Sequence, residues 1–185
     1  ADITGYEGYT GGIVAVADNG TTTIENCWNT GKVHLRGWQS SFRGVGGIAG
    51  CLSSTATVSN CYNTGKVSFY YRTQKIQQAA GGLVGLAGKT SGSSNITLTN
   101  CYSTGAVSGE YDDKASMGAL VGAATGTNTT LTVEKCYYLD GAVKTSGAET
   151  TTVTVQGTAF TAANGLGADA LGEGYVDSCP APVLK

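Results

Sequence analysis

Four times along the chain, a short stretch alternates between polar and apolar side chains and then stops at a cysteine. The stretches read TTIENC (22–27), ATVSNC (56–61), ITLTNC (96–101) and LTVEKC (131–136). In each, the apolar residue (Ile24, Val58, Leu98 or Val133) is flanked by polar ones, a period of two that predicts a strand with one face buried. A second apolar stretch precedes each cysteine: GGIVAV (11–16), GGIAGC (46–51), GGLVGL (81–86) and GALVGA (118–123). A third piece follows, around Val33, Val67, Val107 and Val143, each two residues after a glycine. All three pieces are too short for an ordinary helix and are bounded by Gly, Asn, Ser or Thr, so each unit predicts three short strands.

The cysteines Cys27, Cys61, Cys101 and Cys136 lie 34, 40 and 35 residues apart. A period of this size marks a stacked architecture. Three strands per period predict an all-β fold, a parallel β-solenoid of about four three-stranded rungs with N- and C-terminal caps. Equivalent strands then stack about 4.8 Å apart and equivalent side chains form columns. The expected inner columns are Ile13/Ile48/Leu83/Leu120, Ile24/Val58/Leu98/Val133 and Val33/Val67/Val107/Val143. Burying one aliphatic side chain contributes roughly 1.5–3 kcal/mol, against roughly 1–2 kcal/mol per residue for fixing the backbone. A single rung does not offset that cost, so the rungs must stack.

Around each cysteine the wording is nearly constant: NCWNTG (26–31), NCYNTG (60–65), NCYSTG (100–105) and the divergent KCYYLDG (135–141). Asn26, Asn60 and Asn100 are placed at a corner, where Asn tolerates a left-handed backbone and stacked side-chain amides bond to one another. The cysteines are small residues for the inside of the bend. Lys135 replaces Asn in the fourth unit, where the Asn column is expected to end. Trp28, Tyr62, Tyr102 and Tyr137 are expected to stack mutually outside the corner. Gly31, Gly65, Gly105 and Gly141 are expected to supply a turn at positive φ.

These blocks resemble the GLUG repeat. GGLVGLAG (81–88) followed by NCYSTGAVSG (100–109) carries the resemblance, with GGIAG (46–50) and GALVG (118–122) as further copies. The tail from Tyr175 to Lys185, with its PVL sequence, resembles the way such arrays end. The resemblance implies a non-catalytic module of a large secreted or surface-anchored bacterial protein, a group that includes some immunoglobulin A1 peptidases and adhesin-like proteins. It supports fold and extracellular or cell-surface location more than biochemistry. The expected organisation is an N-terminal cap or partial rung at 1–10, repeats at about 11–43, 44–78, 79–115 and 116–156, and a C-terminal cap at 157–185. Residues 150–156, at the end of the fourth repeat, read as another strand, and 160–172 in the cap as a short helix.

Composition narrows the function classes. With 11 Lys+Arg against 13 Asp+Glu in 185 residues, the chain lacks the concentrated basic surface that nucleic acid requires. No apolar run approaches the ~18 residues of a membrane helix. Ala1 in place of Met suggests a processed form or a piece of a larger polypeptide.

Catalytic chemistry finds little support. The single histidine, His34, reads as a surface loop residue. Glu25 and Glu134 share an outward column but lie three rungs apart, roughly 14 Å, beyond the 5–9.5 Å of glycosidase pairs. The acidic group Glu110, Asp112 and Asp113 reads as a solvated loop, without the spaced ligands of a calcium loop. No cofactor, no metal and no enzyme activity are expected. The cysteine column is expected to stay reduced, because side chains of in-register parallel strands suit a disulfide poorly. Pairing of Cys51 with Cys179 is left open.

The binding candidates fall at the third corner, where loops of different length leave the stack: 34–43, 68–78 and 108–116. They carry Arg36, Trp38, Phe42, Arg43, Phe69, Tyr70, Tyr71, Arg72 and Tyr111. Aromatics and arginines on one surface suit recognition of a host or bacterial surface protein, or of a glycan. A carbohydrate-binding module or a polysaccharide-degrading β-helix is the alternative, and a pure stalk the third.

Overall fold

The structure is a computed structural model, and it describes residues 1–37, 43–71, 78–110, 115–144, 158–160, 166, 168–171, 175–176 and 183–184. Five parallel sheets run side by side, and the chain visits them in the same order on each pass. Sheet 1 holds Tyr9–Gly11, Arg43–Gly46, Gln78–Gly81 and Ser116–Gly118; sheet 2 holds Val14–Ala17, Ala49–Leu52, Val84–Gly88 and Val121–Thr125. Sheet 3 holds Thr21–Glu25, Thr55–Ser59, Ser93–Thr99 and Asn128–Glu134. Sheet 4 holds Trp28–Asn29, Tyr62–Asn63, Tyr102–Ser103, Tyr137–Leu139 and Thr158–Phe160. Sheet 5 opens with Ile3–Gly5 and continues through Val33–Gly37, Val67–Tyr71, Val107–Glu110 and Val143–Lys144. The fold is therefore a parallel β-solenoid, with four complete passes, a strand of sheet 5 ahead of them and a strand of sheet 4 after them.

Each coil has five strands where the sequence pattern predicts three. The glycine-rich stretch is two strands folded about a corner, because Gly12–Ile13, Gly47–Ile48, Gly82–Leu83 and Ala119–Leu120 are bends between strands. A Cβ on Gly11 would overlap the Val14 carbonyl, and one on Gly12 the carbonyl of Gly47 in the next coil. The two strands then lie back to back at close range: a Cβ on Gly50 would stand 2.6 Å from the Thr10 nitrogen, and one on Gly122 2.6 Å from that of Ala80. The fifth strand is the aromatic–Asn/Ser pair after each cysteine, a run too short to show alternation.

The register matches the aliphatic columns. Ile24, Val58, Leu98 and Val133 align in sheet 3, and Ile3, Val33, Val67, Val107 and Val143 align in sheet 5. One core lies between sheets 2 and 3 around Leu52, Val58, Leu83 and Leu98. A second lies between sheets 5 and 1 around Leu35, Val45, Val67 and Phe69. Ile13 departs from its expected place: Ile48 and Leu83 are fully buried, but Ile13 is 46% exposed because no coil lies beneath it.

Asn26, Asn60, Asn100 and Lys135 all take the left-handed backbone, at φ 53°, 50°, 53° and 48°. Gly31, Gly65 and Gly105 do not; among the glycines of that turn only Gly141 has positive φ, at 71°. The requirement at the first three is contact. A Cβ on Gly65 would overlap the Gly31 carbonyl oxygen, and one on Gly105 that of Gly65.

Of the C-terminal segment, Thr158–Phe160 pairs with Tyr137–Leu139 of the fourth coil and adds a strand above it. Leu166 and Leu171, the latter ending the one-turn helix Ala168–Leu171, pack against Tyr62 and Tyr102 along the flank of sheet 4. Tyr175–Val176 and Val183–Leu184 pair antiparallel. Residues 150–156 and Cys179 lie outside the described residues.

Candidate binding surface

The corner from sheet 5 to sheet 1 is one of two where coil length varies; the other joins sheets 2 and 3, through 18–20, 53–54, 88–94 and 125–129. The roots of the first are described on both sides. On the departing side, strand alternation sends Leu35 and Phe69 inward and Arg36 and Tyr70 outward. Arg36 is exposed and Tyr70 half-buried. Arg36 and Tyr70 are register partners, and the guanidinium carbon stands 5.6 Å from the ring centroid, a cation–π contact. One step back, His34 Nδ1 lies 2.9 Å from Ser68 Oγ. His34 is thus a half-buried strand residue, not the loop residue expected, and its column partner Ser68 is buried.

Two of the binding candidates are not available to a ligand as expected. Phe69 is 2% exposed and belongs to the core between sheets 5 and 1. Its ring lies over Gly109 in the next coil, where any Cβ would collide with it. Arg43 is buried too, because it opens sheet 1 on the inward face shared with Val45; its Nη2 reaches Glu7 Oε2 at 3.8 Å. Arg43 pairs in register with Gln78, a buried glutamine whose side-chain amide has no hydrogen-bond partner among the described residues. Trp38, Phe42, Arg72 and Tyr111 lie outside the described residues, and for Tyr71 only the backbone is described, at the end of its strand.

The remaining columns satisfy one another. Each thiol of the cysteine column donates to the carbonyl two residues earlier: Cys27 to Glu25, Cys61 to Ser59, Cys101 to Thr99 and Cys136 to Glu134, at 3.1–3.2 Å. The Cys61 amide also donates to Cys101 Sγ at 3.4 Å. All four are free thiols, as is Cys51. Burial pushes the Cys101 thiol well above its ordinary range and lifts that of Cys51 to about 11. These sulfurs are packing and hydrogen-bonding groups, unlike the electropositive, accessible setting of a reactive thiolate.

A second amide column runs beside the first and was not legible as such. Asn29 Nδ2 donates both its protons, to Gly31 O and to Asn63 Oδ1, each at 2.8 Å. Asn63 repeats the local pattern, donating to Gly65 O at 2.8 Å and accepting from Gly65 N at 3.1 Å. The signal in the sequence is the NTG of the first two blocks, at 29–31 and 63–65. In the corner column, Asn100 Nδ2 reaches Asn60 Oδ1 at 3.4 Å.

Trp28, Tyr62 and Tyr102 of the aromatic column stack as expected. Tyr62 and Tyr102 are parallel at 5.0 Å, and Trp28 and Tyr62 at 6.2 Å. Leu166 and Leu171 cover its middle, and Tyr137 Oη donates to Ala170 O at 3.3 Å. Glu25 and Glu134 do share one column, through Ser59 and Thr99. Among the described residues no group of three or more His, Cys, Asp or Glu could hold a metal ion, and no helix is long and apolar enough to cross a membrane.

The GLUG motif matches residues 43–68, which span the first four sheets of the second coil and the start of its fifth. A crystal structure of a "putative immunoglobulin A1 protease" from Bacteroides ovatus superposes with a TM-score of 0.68 at 22% identity, over 100% of this chain and 55% of the other. At that identity the likeness is one of fold, and this chain spans about half the length of that structure. No curated protein matches the sequence.

Proposed function

We propose that this chain, a β-solenoid carrying the GLUG motif, is a non-catalytic binding module of a secreted or cell-surface bacterial protein. The outer face of sheet 5 and the corner beyond it form its contact surface. The observation that carries this reading is the Arg36–Tyr70 stack, an aromatic and a cation held by two adjacent coils on the outward face, at the root of a corner where coil length varies. Such a pair suits a protein or glycan partner. Elsewhere the columns meet their own needs: the amides bond along the stack, the thiols bond to their own coil, and the tyrosines are covered by the C-terminal segment. The fold likeness to a protein named for acting on immunoglobulin A1, an extracellular substrate, is consistent with a location outside the cell.

The test is a screen of the protein against glycans and against host and bacterial surface proteins, repeated with Tyr70→Ala and Arg36→Ala. Binding that falls at least tenfold in both variants, with the thermal midpoint little changed, supports the reading. Glycan binding alone would select the carbohydrate-binding alternative, and binding indifferent to both substitutions would move the contact surface elsewhere. A stalk that only spaces other domains predicts no ligand.

A further inference from the structure

The first coil differs from those above it at several columns that reach its lower edge. The exposed large hydrophobic residues among those described are Tyr6, Ile13, Val16 and Trp28, all ahead of the second coil. Three of them have buried counterparts one coil up. Ile13 is 46% exposed under Ile48 at 0%, Val16 46% under Cys51 at 2%, and Trp28 53% under Tyr62 at 6%. Tyr9–Gly11, Val14–Ala17, Thr21–Glu25 and Trp28–Asn29 are the edge strands of sheets 1 to 4. Exposed edges are ordinarily protected by Lys, Pro or a covering segment; these four strands contain no Lys and no Pro, and Glu25 is their one charge.

Sheet 5 alone extends further. Ile3–Gly5 pairs with Val33–Leu35 and so occupies the layer beneath the first coil. Ala1 takes the place in the glycine column that Gly31 holds beneath Gly65: a Cβ on Gly31 would overlap Ala1 O, as one on Gly65 would overlap Gly31 O. The Lys32 amide donates to Asp2 Oδ1 at 2.8 Å, which fixes this entry. The lower face is therefore stepped by one strand spacing, about 4.8 Å. A second copy laid edge to edge would meet that step. Polypeptide running along sheets 1 to 4 in the lower layer and passing directly into Ala1 would fill it.

We infer that the lower face of the first coil is a docking surface for one further coil of the same build, covalently continuous with Ala1. That coil would place an aliphatic residue under Ile13, another under Ile24, and a flat side chain under Trp28. This inference is independent of the ligand reading at Arg36 and Tyr70, so either can fail without the other.

The experiment uses the chain's own second coil as the probe. Residues 43–64 are fused directly ahead of Ala1, which puts Thr64 where the register requires it, in a Trp38→Phe background so that Trp28 alone reports. In-register docking predicts a blue-shifted Trp28 emission, at least a threefold drop in its quenching by acrylamide, slower amide exchange in Val14–Ala17 and Trp28–Asn29, and a higher thermal midpoint. The same residues in shuffled order should give none of these. As a second check, Ile13→Asp should leave the unextended chain's midpoint nearly unchanged and abolish the gain in the extended one. An extended chain with Trp28 still fully quenched, or an unextended chain that buries Trp28 by dimerising, would overturn the inference.

Discussion

Sheet 4 is entered and left through two corners in every coil, and the two obey different rules. At the entry, Asn26, Asn60, Asn100 and Lys135 share one backbone conformation, φ 48–53°, although one of them is a lysine. At the exit, Gly31, Gly65 and Gly105 share a residue type without positive φ, and Gly141 alone has it. The entry corner is a requirement on dihedral angle, met by Asn at modest strain and by Lys at more. The exit corner is a requirement on space, since the glycine of one coil lies against the carbonyl of the coil below. Gly141 is open, with nothing within 4 Å of its would-be Cβ. The same letter at the same place in four blocks thus answers two different demands.

The sharpest way to break this distinction is a pair of alanines. Gly65→Ala forces a methyl group into the Gly31 carbonyl, so two coils must move apart, at about 3 kcal/mol as an overpacking penalty. Gly141→Ala meets only the left-handed backbone, at about 1 kcal/mol. Urea unfolding of both variants measures the difference; equal losses would mean that one rule serves both corners.

Asn63→Ala probes what joins the exit corner to the stack. The side chain is fully buried, accepts from Asn29 and Gly65, and donates to Gly65. Its removal leaves several buried backbone and amide groups unpaired, at about 2 kcal/mol. Asn63→Ser should cost less, because Ser103 occupies the equivalent place in the third coil. The chemical denaturation midpoints of the two variants should fall in that order.

How much of this could be read from the chain depended on the length of each run. Sheet 3 was legible because TTIENC and its copies are long enough to alternate, and the columns through Ile24 and Glu25 follow from that alternation alone. Sheet 4 was not, since Tyr62–Asn63 offers two residues and no period. The split of sheets 1 and 2 was hidden because glycines that make a corner and glycines that permit close packing look alike in sequence. At the binding surface, Tyr70 and Arg36 were assigned to corner loops, and both belong instead to strands of sheet 5, where they are register partners. Phe69 was misplaced because its neighbour Gly109, which makes room for its ring, belongs to a different coil. Arg43 was taken for a loop residue although it begins a strand on the inward face.

Lys135 gives the smallest expected effect and the finest test. It holds φ 48° without the amide that its counterparts carry, and a non-glycine side chain in that region costs roughly 1 kcal/mol unless it is Asn-like. Lys135→Asn should raise stability by about 0.5–1 kcal/mol, from relief of the backbone and from an added amide above Asn100, which already reaches Asn60 at 3.4 Å. Lys135→Gly separates the two contributions, because glycine relieves the backbone, adds no amide, and makes the unfolded chain more flexible. If thermal unfolding places Asn above Gly and Gly near the parent, the amide column contributes beyond the dihedral preference. If Gly equals Asn, the entry corner is a matter of φ alone, and the stacked asparagines there are only the residues that best tolerate it.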